Sequence, residues 1–187
     1  CLHDCGCRRQ GVMTQPAESF SKEHQWPMDK AALAVFLDSL GHCGEVVSLF
    51  IKPRPAVSVS GSQAQRLQEF LQRAGALAEQ TLMGPVDADD VQYAMLNRLE
   101  FEGSLVGVLR GGGCHGSNRH LSLAELRKQV AEMLEAVFPE PFSALWVYRF
   151  DRMDWCEWMR AATDCAGYLA WQPERNLWWL LCVCDED

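Results

Sequence analysis

The residues best suited to covalent chemistry lie in one glycine-rich stretch, residues 112–116, GGCHG. The spacing fits G-x-C-x-G, the thiol form of a nucleophile elbow, in which small flanking residues let a strained strand-to-helix turn expose the nucleophile. A thiol nucleophile at Cys114 needs a histidine base, and the candidates are His115, His120 and His42. The motif therefore predicts a cysteine-dependent hydrolase or transferase. This is one of two functions that the sequence suggests, and the other is binding of a protein partner.

The surroundings of this stretch fit an elbow only in part. An elbow helix begins directly after the nucleophile, whereas the next helix start, a capping box formed by Ser122 and Glu125, comes several residues after Cys114. Three glycines would also simply build a tight loop. The stretch lacks the Lys-Ser/Thr pair of a phosphate-binding loop and the glycine spacing of a dinucleotide fingerprint, so we expect no cofactor.

Several groups of residues have the chemistry of metal ligands, but none has the spacing of a known site. Zinc sites usually take ligand pairs from two separated segments, and hard cations need oxygen ligands that converge from several directions. We therefore assign no metal. The groups considered are His42 and Cys43 with Cys114, His115 and His120; Asp87, Asp89 and Asp90; and Cys1, His3, Cys5 and Cys7.

The strongest compositional bias lies at the C-terminal end. Residues 151–187 contain eight acidic residues and three arginines, which gives −5 of the total formal charge of −8, and five of the seven tryptophans. Tryptophan is a frequent anchor in interfaces, and acidic residues around it steer basic partners. The predicted partner-binding residues are Asp151, Asp154, Trp155, Glu157, Trp158, Asp185, Glu186 and Asp187.

Part of this tryptophan content has a structural explanation. Successive residues of a strand point to opposite faces, so at least one of Trp178 and Trp179 must point into the core. The same holds for Trp171 if it lies in a strand of the same hairpin. The tryptophans expected to contact a partner are therefore Trp155 and Trp158, between two predicted strands.

Charge and hydropathy exclude some classes of partner. A chain with 25 acidic and 17 basic residues is repelled by phosphates and anionic lipids, so we expect no nucleic-acid and no membrane partner. The longest apolar run, residues 177–184, is too short to span a bilayer.

The cysteines favour a reducing compartment. Their number is odd, nine, and most are scattered along the chain, which predicts thiols in a cytoplasmic protein. Five of them have apolar or aromatic neighbours and are predicted to be small buried side chains. These are Cys43, Cys156, Cys165, Cys182 and Cys184.

The hydrophobic pattern predicts one α+β domain over residues 13–187, with residues 1–12 as an extension that does not belong to the fold. Three to four helices are expected to pack on a mainly antiparallel sheet that ends in a C-terminal β-hairpin around residues 172–176, QPERN. Predicted helices cover residues 28–41, 62–80, 88–96 and 122–137; predicted strands cover residues 45–51, 56–60, 101–110, 144–150, 165–171 and 177–184.

Taken together, these features predict a non-enzymatic acidic protein that binds a basic protein partner and masks it. An immunity protein or inhibitor that neutralises a basic toxin would have an acidic surface of this kind, and so would a small acidic chaperone for a secreted effector.

Overall fold

The computed structural model describes residues 30–53, 56–78, 91–112, 116–139, 145–152 and 164–185. These residues form an α+β fold with one antiparallel sheet and a C-terminal hairpin, as predicted. The boundary predicted between residues 12 and 13 lies outside the described residues. The helices are α1 (Lys30–Gly41), α2 (Gln63–Ala78), α3 (Arg98–Gly111) and α4 (Leu123–Val137); the strands are β1 (Glu45–Ile51), β2 (Ala94–Leu96), β3 (Trp146–Phe150), β4 (Asp164–Gln172) and β5 (Leu177–Asp185).

The five strands are arranged in the order β1-β5-β4-β3-β2, and each neighbouring pair is antiparallel. A short 3₁₀ turn, Pro173–Arg175, joins β4 to β5, and Asn176 follows it in the left-handed conformation. The Asn176 side-chain amide donates to the Pro53 carbonyl at 2.9 Å. The Arg175 guanidinium donates to the Val137 carbonyl, also at 2.9 Å. These two bonds hold the hairpin turn against the end of α4 and the segment after β1.

One face of the sheet is covered by α1, α3 and α4, and its core is centred on Trp179 of β5. The indole stacks on Phe50 at a ring-centroid distance of 5.4 Å, and its Nε1–H donates to the Ser48 hydroxyl at 2.9 Å. Further ring contacts come from one phenylalanine in each helix or helix end that covers this face. They are Phe36, Phe101 and Phe138.

The opposite face is covered by α2. Phe70 of α2 stacks on Trp178 at 4.1 Å, and Trp178 stacks on Trp171 at 5.0 Å. Trp178 and Trp179 point to opposite faces of the sheet, and both are fully buried because both faces are covered. The alternation of side chains along the strand had predicted burial of at least one of them. Trp171 is buried too. The hairpin tryptophans are therefore core residues.

Arg66, in the first turn of α2, is a buried cation with a structural role. It is 6% exposed, and its guanidinium lies 4.1 Å from the ring centroid of Trp146. Its N–H groups donate to the carbonyls of Val59, Gly61 and Ser62. The cation–π contact and these three bonds fix the chain that enters α2 against the tryptophan face of the sheet.

Local signals at the helix starts explain where α3 and α4 begin. Ser122 and Glu125 form the predicted capping box of α4, and the hydrogen bonds from Ser122 lower the pKa of the Glu125 carboxyl. A second box, Asn97 with Glu100, starts α3. None of the helices in the described residues is long and apolar enough to cross a membrane.

Three of the predicted elements were wrong. The strand predicted over residues 101–110 is helix α3, whose buried residues Phe101, Leu105, Val106 and Leu109 share one helical face. Residues 88–96 were predicted to form a helix, but residues 94–96 form strand β2. Residues 88–90 lie outside the described residues. Residues 56–60 form no strand, because the Glu69 carboxylate accepts the backbone N–H of Ser58 in place of a neighbouring strand.

Candidate functional site

The register of the sheet brings acidic residues from four chain segments to one end. Glu45, the first residue of β1, pairs with Cys184, and Asp164, the first residue of β4, pairs with Asp185 at the end of β5. Strand β3 ends at Phe150, opposite Gly167, and Asp151 follows it. We call Glu45, Asp151, Asp164 and Asp185 the acidic end. The 3₁₀ turn between β4 and β5 lies at the other end of the sheet.

Two arginines lie close to Asp151 at the acidic end, and two of its acids are opposed in the sheet. Asp164 and Asp185 are directly opposite in the register, an arrangement that destabilises a sheet when both residues carry the same charge. Asp151 contacts the Arg149 guanidinium at 3.0 Å, but the two side chains are 80% and 43% exposed, so water screens this pair. Arg152 is the next residue and is also exposed. Among the described residues, the four acids of the acidic end outnumber the two arginines that are near Asp151 in sequence, Arg149 and Arg152.

The predicted partner-binding residues divide into two groups. The structure places Asp151 and the backbone of Asp185 at the acidic end. The other predicted residues belong to the two segments that follow Arg152 and Asp185, and both segments lie outside the described residues. These residues are Asp154, Trp155, Glu157, Trp158, Glu186 and Asp187.

Sequence reasoning did not identify two members of the acidic end, Glu45 and Asp164. Glu45 is more than a hundred residues from the C-terminal acids and joins them only because β1 pairs with β5. Asp164 belongs to the acidic C-terminal region, and its position opposite Asp185 follows from the length of the hairpin strands. A search for acidic residues at predicted strand ends would have found both.

The glycine-rich loop lies next to this end of the sheet. Gly112 has φ +67°, and a Cβ there would overlap the Gly116 carbonyl and the Ser117 side chain, so the two ends of the loop touch. A Cβ at Gly116 would lie 2.9 Å from the His42 carbonyl oxygen. His42 is three residues before Glu45, so the base of the loop and the acidic end are neighbours.

A buried polar cluster holds the base of the loop in place. The Asn118 side-chain nitrogen lies 2.9 Å from the Ser39 carbonyl and 3.3 Å from the Leu109 carbonyl, and 3.4 Å from the Cys43 sulfur. The Cys43 thiol in turn contacts the carbonyls of Ser39 and Leu109. Cys43 is therefore a buried structural thiol, as predicted, and links the ends of α1 and α3.

The surroundings of the loop differ from those of a nucleophile elbow. An elbow follows a strand, but this loop follows helix α3 and leads to helix α4. His42 and His120 are both exposed, and Cys114 and His115 lie outside the described residues. Within the described part of the chain, no group of three His, Cys, Asp or Glu side chains could hold a metal ion.

Comparison with known proteins adds no identification. No family model matches the chain, and no curated protein or solved structure shows significant similarity to it. The functional assignment therefore rests on the chain's own geometry and charge.

Proposed function

We propose that the protein is a non-enzymatic binding protein that recognises a basic protein partner at the acidic end and neutralises or chaperones it. An immunity protein or inhibitor of a cationic toxin would work in this way, and so would a chaperone of a secreted effector. The observation that carries the proposal is the sheet register, which collects Glu45, Asp151, Asp164 and Asp185 from separate segments at one end.

The opposed pair of acids supports a role in binding over a role in folding. Acids directly opposite each other in a sheet reduce its stability. Residues that weaken the fold at a surface are expected where a ligand of opposite charge compensates them, because functional sites commonly lower stability. Asp164 and Asp185 form such a pair in this sheet.

Complementary charge acts mainly on the rate of encounter and on the choice of partner. A negative surface attracts a basic protein over about a Debye length, roughly 8 Å at physiological salt. The aromatic side chains that we expect to anchor the complex are Trp155 and Trp158, which follow Asp151 in sequence. Asp154 precedes Trp155, and Glu157 lies between the two tryptophans in sequence. Glu186 and Asp187 follow Asp185.

We place this activity in the cytoplasm, without a membrane or nucleic-acid partner. The odd number and the scattered positions of the nine cysteines support a reducing compartment.

A pair of variants with equal net charge tests the proposal. In the acidic-end variant Glu45→Gln, Asp151→Asn and Asp185→Asn remove three charges. In the control variant, Glu102→Gln and Glu132→Gln on α3 and α4 and Glu174→Gln in the hairpin turn remove three charges elsewhere. The probe is a fluorescent decalysine peptide, titrated at an ionic strength of about 0.01 M, where the Debye length is about 30 Å.

We expect the acidic-end variant to bind the peptide at least about tenfold more weakly than the wild type, a difference of about 1.4 kcal/mol. The control variant should lose much less affinity, because it lowers the total charge by the same amount but leaves the acidic end intact. Equal losses in the two variants would show that total charge alone governs binding and would refute the assignment of the site.

A further inference from the structure

Two thiols face each other across the central hairpin. Cys165 of β4 and Cys184 of β5 are directly opposite in the register, and their sulfur atoms are 3.6 Å apart. Cys182 lies on the same face of β5, but the residue opposite it is Gly167, which has no side chain. The register therefore gives Cys165 one thiol directly across the hairpin, that of Cys184.

The geometry of this pair is close to that of a disulfide. Residues opposite each other on an antiparallel pair have Cβ atoms about 4.5–5.5 Å apart, and disulfides join Cβ atoms about 3.5–4.5 Å apart. The two sulfur atoms, 3.6 Å apart, are already in contact, and a bond of about 2.05 Å requires rotation of the side chains together with an approach of the two Cβ atoms by up to about 1 Å. No change in strand pairing is required.

The two thiols differ in their access to solvent. Cys165 is partly exposed, whereas Cys184 is 1% exposed. An oxidant in solution therefore meets Cys165 first, and Cys184 is placed to react with the product. Solvent access and a neighbouring thiol that can resolve a sulfenic acid are two of the features of redox-responsive cysteines, and Cys165 has both.

We propose that Cys165 and Cys184 are an oxidation site that peroxide converts into a cross-strand disulfide. The Cys165 thiolate attacks one oxygen of hydrogen peroxide, the O–O bond breaks, and a sulfenic acid and a hydroxide form; the hydroxide takes up the proton lost from the thiol to give water. The Cys184 sulfur then attacks the Cys165 sulfur, the S–O bond breaks, and the departing hydroxide takes up the proton of the Cys184 thiol to give a second water. Overall, two thiols and one peroxide give one disulfide and two waters.

This oxidation would bear directly on the acidic end. Asp164 and Asp185 are the residues next to the two cysteines, so the disulfide would fix the spacing of the strands at the point where these acids are opposed. The inference itself rests on the sulfur positions and does not depend on the proposed function.

Peptide mapping of the full-length protein tests the inference. The folded protein is treated with hydrogen peroxide, remaining thiols are blocked, and the protein is digested with trypsin without reduction. Cleavage after Arg160 and Arg175 places Cys165 alone in residues 161–175, and Cys182 with Cys184 in residues 176–187. Cys156 falls in a third peptide, residues 153–160. We expect peroxide to produce a linked pair of the first two peptides, which a reductant separates.

Serine variants then identify the partner of Cys165. Cys182→Ser, two residues away on the same buried face, is the matched control and should retain the linked pair, whereas Cys184→Ser and Cys165→Ser should abolish it. Near-ultraviolet circular dichroism before oxidation shows that each variant is folded, and oxidation in denaturant gives the pattern of random pairing. A link that survives in Cys184→Ser, a link from Cys165 to residues 153–160, or a wild-type Cys165 that is oxidised without any link would overturn the proposal.

Discussion

Replacement of Ser48 by alanine tests the strand register on which the site depends. The Trp179 Nε1–H donates to the Ser48 hydroxyl at 2.9 Å in the buried core. In the observed register Trp179 pairs with Phe50, and Ser48 is two residues from Phe50 on the same face, so the bond exists only in this register. The same register places Glu45 opposite Cys184 at the acidic end.

The expected loss of stability follows from the buried donor. Ser48→Ala leaves the indole N–H without an acceptor, which costs about 1–3 kcal/mol. For a chain of this size each kcal/mol lowers the melting temperature by about 2–4 °C, so about 2 kcal/mol corresponds to about 4–8 °C. Ser60→Ala is the control, because its hydrogen bond to Ser58 is exposed and its removal should cost less than about 0.5 kcal/mol.

A double-mutant cycle with Trp179→Phe isolates the bond. Without the indole, the Ser48 hydroxyl has no such donor, so adding Ser48→Ala to Trp179→Phe should cost less than about 0.5 kcal/mol. Urea denaturation of the four proteins gives the coupling energy, which we expect to be about 1–2 kcal/mol. Equal costs of Ser48→Ala in both backgrounds would refute the contact and, with it, the register of β1 against β5.

Three further predictions concern the loop, a buried tyrosine and the opposed acids. Gly112→Ala should lower the melting temperature sharply because of its positive φ and the overlap with Gly116, whereas Gly103→Ala, in open space on α3, should raise stability by about 0.5–1 kcal/mol. Burial raises the pKa of Tyr148 from 10.0 to about 12, so the stability that this shift contributes is present below pH 10 and should be lost as the pH rises towards 12. The difference in phenolate absorbance between the wild type and Tyr148→Phe measures the ionisation of this side chain. Asp164→Asn should raise the free energy of unfolding by about 0.2–1 kcal/mol, and calorimetry at high salt should show a smaller gain.

The elements that the sequence predicted correctly have local signals. The capping box of Ser122 and Glu125 specifies the start of α4, and the polar residues 172–176 between two apolar runs specify the hairpin. Helix α3 was missed because residues 101–110 are rich in valine, leucine and phenylalanine, which suggested a strand. The Asn97 and Glu100 pair was the signal that would have corrected this.

The composition of the acidic end could be predicted from the sequence only in part, for a different reason. The excess of acids in residues 151–187 is a property of composition and can be read directly from the chain. The addition of Glu45 depends on the antiparallel pairing of β1 with β5, a contact between residues far apart in sequence. The covering of both sheet faces is equally non-local, and it is what buries Trp178 together with Trp179.

A footprint of the decalysine peptide on the folded protein would locate the surface that binds a basic partner. Backbone amide shifts measured by NMR during a titration at low salt would show where the basic peptide lies. We predict that the largest shifts cluster at the acidic end, around Glu45, Asp151, Asp164 and Asp185, and disappear in the acidic-end variant. Shifts centred on the hairpin turn at Pro173–Arg175, or spread evenly over the helices, would show that the acidic end is not the binding surface.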